Sequence, residues 1–285
     1  MDNQVLKMHI QNTRNLPIAF DLHLSKARGR RPLVVFCHGF KGFKDWGSFN
    51  YIAKCFANAE MHFLKFNFSG NGTTPNDLLN FADVDAFGNN NFSKELEDLD
   101  CVLNWVESDF EKTAGCSFSS ITLMGHSRGG GIAILKAAKD SRIKKLITWA
   151  AVADFEKMLG SYDNEQWKQD GVVYIRNART NQNMPLHYQL YTDLMENKDD
   201  LNIIRAAKIV SAPWLIVHAK DDAVVPLSEA EKLNDASTHG NLQIIAGGAH
   251  TFGGVHPFNE SHISEYLQEA ISKSIKFITL SNNNE

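Results

Sequence analysis

Short, continuous apolar runs recur along this chain and alternate with longer stretches of mixed character. Such runs are typical of strands buried on both faces, as in a parallel sheet. Six of them follow position 30: residues 33–37, 61–66, 119–124, 145–150, 213–219 and 242–246. Two earlier runs, residues 5–10 and 16–24, flank the turn-prone Asn12-Thr13-Arg14-Asn15 and predict an antiparallel hairpin.

Between these runs, apolar residues recur at three- and four-residue steps, which indicates amphipathic helices. The clearest helix has one apolar face, and Ser93 is placed to cap its start. That face is formed by Leu96, Leu99, Leu103, Val106 and Phe110. Further helices are expected at residues 46–59, 129–139, 228–235 and 263–278. Strands that alternate with helices predict an α/β fold with a mostly parallel central sheet flanked by helices.

Two stretches interrupt this alternation. Residues 70–91 are rich in Asn, Asp and Gly, and they predict a loop with at most a short helical turn. Residues 152–208 mix aromatic and charged residues without a strand run, so we predict a small helical cap inserted after the sixth strand. The expected core is then residues 1–151 and 209–285, and the tail at 282–285 is expected to fray.

Composition and charge narrow the class of protein. The 285 residues are 43% hydrophobic and 22% charged, as in a soluble globular domain carrying an insertion. The net charge of −4, without an extended basic cluster, argues against a nucleic-acid partner. The four cysteines show no C-x-x-C pair or disulfide framework, and His and Asp show no metal-ligand spacing. With no visible leader or spanning stretch, we expect a cytoplasmic protein without a membrane partner.

The run Gly125-His126-Ser127-Arg128-Gly129 has the spacing G-x-S-x-G and lies between a predicted strand and a predicted helix. In that context, the glycines permit a turn so sharp that the serine hydroxyl projects from it. The N-terminus of the following helix stabilises developing negative charge. The pattern predicts Ser127 as a nucleophile. A glycine-rich strand–helix turn with an incidental serine is the alternative.

Other candidate residues follow other predicted strands. Right-handed crossovers bring the carboxyl ends of parallel strands to one edge, where ligands bind. His38 follows the first buried strand, and a hydrogen bond to nearby loop backbone is the simpler expectation for its side chain. Asp221 and Asp222 follow the next-to-last strand, and either carboxylate could orient a histidine base. His250 follows the last strand and could be that base, with His256, expected near the start of the last helix, as its rival.

At these residues the chain resembles the α/β-hydrolase superfamily, from Leu33 to the C-terminal helix, with the insertion matched least. The segments closest to the dienelactone-hydrolase-like and cinnamoyl (feruloyl) esterase branch are His38-Gly39-Phe40-Lys41-Gly42, Gly125-His126-Ser127-Arg128-Gly129-Gly130 and His218-Ala219-Lys220-Asp221-Asp222. The resemblance implies hydrolysis through an acyl-enzyme, without a cofactor. Dienelactone hydrolases proper use cysteine where this chain has Ser127. Ala219 and Asn67 stand where the family often has Gly and Asp.

The resemblance also assigns roles to particular residues. It implies that the backbone amides of Phe40 and Arg128 form an oxyanion hole. It places the acid three residues before a Val-Pro pair, which selects Asp222 over Asp221. The order Ser127, Asp222, His250 is the order expected of this fold.

The cap is expected to supply the substrate pocket. The candidate substrate contacts are Trp167, Tyr174, His187 and Tyr188. Packing of these aromatic residues onto the core is the alternative, because buried aromatic side chains mostly do that. Arg128 and Arg179 could meet an acidic substrate, with solvated surface arginines as the alternative.

The sequence therefore predicts a serine carboxylic ester hydrolase acting on small or medium acyl or aryl esters. A serine peptidase or a thioesterase with the same three residues is the alternative within enzymes. A non-catalytic binding protein of the same fold is the third hypothesis. The expected partner is a small-molecule ester, with no metal and no nucleic acid, and a homodimer is left open.

Overall fold

The computed structural model describes residues 4–160, 162–177 and 179–280. The strands are β1 (Val5–Gln11), β2 (Pro17–His23), β3 (Arg31–Cys37), β4 (His62–Phe66), β5 (Phe118–His126), β6 (Ile143–Trp149), β7 (Val172–Asn177), β8 (Gln182–His187), β9 (Trp214–Ala219) and β10 (Gly240–Ile245). The helices are α1 (Phe49–Asn58), α2 (Val84–Gly88), α3 (Phe92–Ser108), α4 (Phe110–Ala114), α5 (Arg128–Ala137), α6 (Phe155–Leu159), α7 (Asn164–Asp170), α8 (Gln189–Glu196), α9 (Ile203–Ile209), α10 (Leu227–Ala236) and α11 (Glu265–Leu280), and Ala249–Thr251 form a 3₁₀ turn.

Eight strands form one sheet in the order β1-β2-β4-β3-β5-β6-β9-β10. The strands from β4 to β10 in that order run parallel, while β1 and β2 form the antiparallel hairpin predicted from the sequence. The register aligns the carboxyl ends, since Cys37 pairs with Gly125, Trp149 with His126, and Ala219 with Ile245. The loops that leave these strands therefore meet at one edge.

The parallel strands β3, β4, β5, β6 and β9 are buried on both faces, which explains their continuous apolar runs, while the edge strand β10 is partly exposed. On β3, Val34 and Phe36 face a layer formed by α1 and α11, while Leu33 and Val35 face α3, α5, α9 and α10. The six predicted buried strands are all present, with ends that differ by a few residues. Among the helices in the described ranges, none combines the length and hydropathy needed to cross a bilayer.

Two predicted boundaries are wrong. Helix α3 begins one residue before Ser93, and its N-cap is Asn91, whose side chain accepts a hydrogen bond from the Lys94 amide at 2.9 Å. Helix α11 begins at Glu265, so His256 lies in the preceding loop and not at the start of a helix. The predicted frayed tail at residues 282–285 lies outside the described residues.

The segment between β6 and β9 is not wholly helical, contrary to the prediction. It contains the antiparallel hairpin β7–β8, whose pairing runs from Val172 with His187 to Asn177 with Gln182. Strand β7 begins Val-Val-Tyr-Ile, which are residue types that favour strands, but its polar neighbours hide the pattern. Helix α9, at the end of the segment, packs against α5 and α10 of the core. The boundary of the cap at 208 stays a prediction.

Candidate active site

Ser127 lies on the turn that joins β5 to α5, with backbone angles φ 55° and ψ −122°. A residue other than glycine in this region carries local strain, and such strain is concentrated at functional sites. A Cβ on Gly125 would lie 2.3 Å from the Gly129 carbonyl oxygen, and one on Gly129 would lie 2.3 Å from that of His38. Glycine is therefore required on both sides of the serine. The Ser127 amide donates to the Trp149 carbonyl at 2.9 Å and ties the turn to β6.

His250 reaches Ser127 from the 3₁₀ turn after β10. Its Nε2 lies 3.0 Å from Ser127 Oγ, and its Nδ1 lies 2.8 Å from Asp222 Oδ2. Because a carboxylate only accepts, Nδ1 carries the proton and Nε2 is free to accept from the serine hydroxyl. This is the tautomer that a histidine base needs.

Asp222 is buried and held in one orientation. Its Oδ1 accepts hydrogen bonds from the Val224 and Val225 amides at 2.8 and 2.9 Å. Burial alone would raise the pKa of Asp222, but the hydrogen bond from His250, its charge and the two amides hold that pKa below its usual value. The carboxyl group is thus ionised beside the histidine.

Asp221 points elsewhere. It is exposed, and its Oδ1 accepts from the Ala249 amide at 2.9 Å. It therefore anchors the turn that carries His250 without contacting the imidazole. The rival base His256 is also occupied, because its Nδ1 accepts from the Gly47 amide at 2.9 Å and its ring stacks on Trp46.

Two buried histidines support the site as neutral groups. His126 Nε2 donates to the His250 carbonyl at 2.9 Å, and burial lowers the pKa of His126 to about 3, with the neighbouring His250 acting in the same direction. His218 Nε2 donates to the Val225 carbonyl at 2.8 Å and lies 3.6 Å from Asp222 Oδ2. Sequence analysis did not assign a role to either one.

The loop after β3 lies against the nucleophile. A Cβ on Gly39 would lie 3.0 Å from Ser127 Cβ, so the backbone at Phe40 is close to the serine. His38 bonds this loop, as expected, since its Nδ1 donates to the Gly39 carbonyl at 2.9 Å and its Nε2 accepts from the Phe68 amide at 3.3 Å. Burial lowers the pKa of His38 to about 4, so the ring stays neutral.

The backbone N–H donors of Phe40 and Arg128 have no competing acceptor in the described part of the chain. Neither one donates to any backbone or side-chain acceptor within residues 4–160, 162–177 and 179–280. Unpaired amides beside a serine are the donors that an oxyanion requires. On the other side of the loop, Asn67 Oδ1 accepts from the Lys44 amide at 2.6 Å, so the asparagine found in place of the family's aspartate anchors this loop.

The side chain of Arg128 is not solvated, contrary to the simpler expectation. It is buried, and its Nε donates to Glu95 Oε2 at 2.9 Å. Its guanidinium also lies 4.4 Å from the centroid of Phe92 and 5.4 Å from that of Phe40. The guanidinium therefore packs on the ring of Phe40, the other residue predicted to supply an oxyanion-hole amide. No spacing in the sequence connects positions 95 and 128, so this contact was missed.

The family described as "Serine aminopeptidase, S33" (Hydrolase_4) matches residues 28–198, which is more than half of the chain. The chain belongs to this family. Among curated proteins, it is 31% identical over 149 residues to the "Uncharacterized 31.7 kDa protein in traX-finO intergenic region" of Escherichia coli, covering 52% of this chain and 47% of that one. The match thus spans about half the length of that relative. This chain is also 26% identical over 247 residues to "Putative esterase/lipase 2" of Mycoplasma pneumoniae, and that match covers 79% of this chain and 85% of the relative.

Solved structures confirm the predicted α/β-hydrolase fold. Est1E from Butyrivibrio proteoclasticus, with ferulic acid bound, has a TM-score of 0.73 at 18% identity, covering 98% of this chain and 100% of that one. The acylaminoacyl peptidase of Pyrococcus horikoshii has a TM-score of 0.70 at 17% identity, and the match covers 98% of this chain and 41% of the peptidase. Both likenesses are likenesses of fold.

Two cavities of this S33 protein open beside Ser127 and share Phe40, Lys41 and His250. The Met158 cavity, of about 400 Å³, is completed by Val152, Asp154, Lys157, Met158, Val224, Val225, Pro226 and Glu229. The Arg179 cavity, of about 220 Å³, is completed by Gly39, Gly42, Trp46, Phe49, His126, Asn177, Arg179 and Thr251. The segment between β6 and β9 contributes to both.

The four predicted substrate contacts line neither cavity. Trp167 is buried, with its Nε1 donating to the Leu186 carbonyl at 2.9 Å, and Tyr188 packs edge-on against it. Tyr174 points to solvent and is 63% exposed, while His187 Nδ1 pairs with Asn89 Oδ1 at 3.0 Å. Packing, the alternative, describes Trp167 and Tyr188. The lining residues Met158 and Asn177 were missed, since nothing in their spacing distinguishes them.

Proposed function

We propose that this chain is a serine hydrolase that cleaves carboxylic esters through an acyl-enzyme on Ser127. The observation that carries this proposal is the continuous hydrogen-bonded chain from Ser127 Oγ through His250 to Asp222. Nucleophile, base and orienting carboxylate in such contact are what acyl transfer requires. The family and the fold support the same chemistry.

In the proposed mechanism, His250 Nε2 takes the hydroxyl proton as Ser127 Oγ attacks the ester carbonyl carbon. The tetrahedral oxyanion is bound by the amides of Phe40 and Arg128, and one such donor contributes about 3 kcal/mol to barrier lowering. His250 then gives its proton to the departing alcohol. A water molecule, deprotonated by the same nitrogen, attacks the acyl-enzyme and releases the acid.

The Met158 cavity supports a small or medium acyl group as substrate. Val152, Met158, Val224 and Pro226 form an apolar wall that suits a hydrocarbon chain or a ring. We propose that the acyl part binds there. The ferulic acid bound to Est1E supports aryl acids within this range.

A serine peptidase is the second candidate, and a thioesterase with the same three residues is the third. The family description and the acylaminoacyl peptidase structure favour the peptidase. A panel of p-nitrophenyl esters, thioesters and aminoacyl amides separates the three activities. We expect the esters to give the highest kcat/KM, and higher kcat/KM on amides would favour the peptidase.

We further propose a cytoplasmic location and a homodimer as the oligomer to test. The four cysteines are free thiols, which suits a reducing compartment. Sedimentation at several protein concentrations distinguishes a monomer from a homodimer.

Labelling with a fluorophosphonate tests the proposed function directly. We expect rapid labelling of the wild-type protein and none of Ser127→Ala, because the reagent captures only an activated serine. Ser108→Ala, which changes an exposed serine on α3, is the matched control and should label normally. A wild-type protein that resists labelling, or a Ser127→Ala variant that still labels, would refute the proposal.

A further inference from the structure

The two cavities beside Ser127 differ in charge. The Met158 cavity contains Asp154 and Glu229 among its lining residues, and Glu229 Oε1 pairs with Lys157 at 2.6 Å. The Arg179 cavity is lined by Lys41 and Arg179 with no acidic residue. Since the chain as a whole has a net charge of −4, this cationic character is local.

The guanidinium of Arg179 is held but not neutralised. It lies 5.2 Å from the centroid of Phe43 and 5.5 Å from that of Phe81, against two rings that meet edge to face. One of its nitrogens donates to the Leu79 carbonyl at 3.1 Å. Asp77 acts on it electrostatically, but no carboxylate of the described residues lies within ion-pair distance. Donors are therefore left for a planar acceptor.

Asn177 provides an independent sign of a ligand. It is 6% exposed and lines the same cavity at the end of β7. Its Oδ1 accepts from the Arg179 amide at 3.2 Å, which fixes the orientation of the side-chain amide. Its Nδ2 has no acceptor within the described ranges. Buried donors in proteins are nearly always paired, so an unpaired one in a cavity wall suggests an oxygen supplied by the substrate.

We propose that the Arg179 cavity binds a carboxylate on the alcohol part of the ester. This inference rests on the proposed function. A guanidinium presents a planar fork of N–H donors, and that fork matches the two oxygens of a carboxylate. Trp46 and Phe49 line the same cavity and would contact the apolar group that bears the carboxylate.

The alcohol side is assigned from the position of the base. His250 must protonate the leaving oxygen. His126, whose ring centroid lies 4.8 Å from that of His250, and Thr251, the next residue in the chain, line the Arg179 cavity and not the Met158 cavity. The Met158 cavity, which is the larger of the two and has one apolar wall, remains for the acyl chain. The substrate class is thus an ester of an apolar acid with a hydroxy acid.

Two pairs of esters test the proposal. In the first pair, 4-carboxyphenyl butyrate is compared with its methyl ester, so the charge lies on the alcohol part. In the second pair, phenyl hydrogen adipate is compared with phenyl methyl adipate, so the charge lies on the acyl part. For the wild-type protein we expect kcat/KM to favour the carboxylate by about tenfold in the first pair, expressed mainly in KM.

Substitutions assign that preference to Arg179. Arg179→Gln should abolish the preference within the first pair, while Arg179→Lys should retain part of it. Arg176→Gln removes an exposed arginine from the same hairpin and should leave the preference intact. The wild-type preference should also fall as salt is raised, because the arginine is exposed.

Several results would overturn the proposal. Equal kcat/KM within the first pair, or a preference that survives Arg179→Gln, would refute carboxylate binding by this cavity while neutral ester turnover leaves the proposed function standing. An Arg179-dependent preference in the second pair would refute the alcohol-side assignment. Absence of turnover on all four esters, together with absence of fluorophosphonate labelling, would refute the proposed function and this inference with it.

Discussion

The carboxyl edge of the main sheet and the segment between β6 and β9 form the same cleft in different ways. The sheet edge contributes Ser127, Asp222 and His250, which are joined by short hydrogen bonds and follow buried strands. The inserted segment contributes Met158 and Asn177, which form walls and touch none of these groups through a hydrogen bond. One region holds the atoms proposed to react, and the other shapes the space around them.

This difference separates rate from selectivity. Backbone pairing between parallel strands holds the sheet edge in one register, so its side chains are preorganised. The inserted segment is held by side-chain packing of its own aromatic residues, as Trp167 and Tyr188 illustrate. Changes at the sheet edge should therefore affect every substrate, whereas changes in the insertion should discriminate among them.

The largest effect is expected at Asp222. Asp222→Asn should lower kcat by about 10⁴ on every ester, because the amide no longer stabilises the correct tautomer and the charge of His250. Steady-state kinetics on p-nitrophenyl acetate would measure it.

Asp221→Asn is the matched control. It preserves the Oδ1 acceptor that receives the Ala249 amide, so kcat should change little. If Asp221→Asn were the more damaging change, the carboxylate would have to be reassigned.

An intermediate effect is expected when the pH is lowered, because two histidines buried at the sheet edge make the stability of the fold depend on pH. Burial lowers the pKa of His38 to about 4 and that of His126 to about 3, from about 6.5 in the unfolded chain. Between those values the unfolded chain binds protons that the native protein excludes. The free energy of unfolding is therefore unaffected by these two histidines above pH 6.5. It decreases as the pH falls toward 4, by up to about 1.4 kcal/mol per pH unit for each histidine.

Urea unfolding at a series of pH values measures this slope. His126→Gln, which keeps a donor for the His250 carbonyl, should make the slope shallower between pH 6.5 and 4. His239→Gln changes an exposed histidine and should not. An unchanged slope in the His126 variant would show that the ring is protonated in the native protein.

The smallest effect is expected in the insertion. Met158→Trp should lower kcat/KM for p-nitrophenyl octanoate by about tenfold, because the larger side chain would exclude part of the acyl chain from the cavity. Each methylene group excluded from an apolar pocket costs about 1–3 kcal/mol. The acetate ester, which needs little of that cavity, should be hydrolysed as before.

Tyr174→Trp provides the control, because this residue of the insertion points to solvent and lines neither cavity. Equal losses on acetate and octanoate in Met158→Trp would contradict the separation between rate and selectivity.

Sequence patterns predicted the centre of the sheet because β3, β4, β5, β6 and β9 are buried on both faces and leave a continuous apolar signal. They missed the hairpin β7–β8, because the apolar run of β7 is only four residues long and β8 is a mixed segment containing Pro185. They also favoured aromatic residues as substrate contacts, although Trp167 is buried in packing of the insertion. Periodicity reports which residues are buried, and it does not report what they are buried against.

The sequence by itself determined the order of strands and helices, the turn at Ser127, and the positions of Asp222 and His250 after their strands. These follow from local rules, since burial, glycine and chain order are properties of neighbouring residues. Only the tertiary structure decided that Asp222 and not Asp221 meets His250, that Arg128 is buried against Glu95, and that Asn177 and Arg179 line a cavity beside the serine. Those contacts join residues far apart in the chain, and their geometry depends on how whole elements pack, which no local pattern encodes.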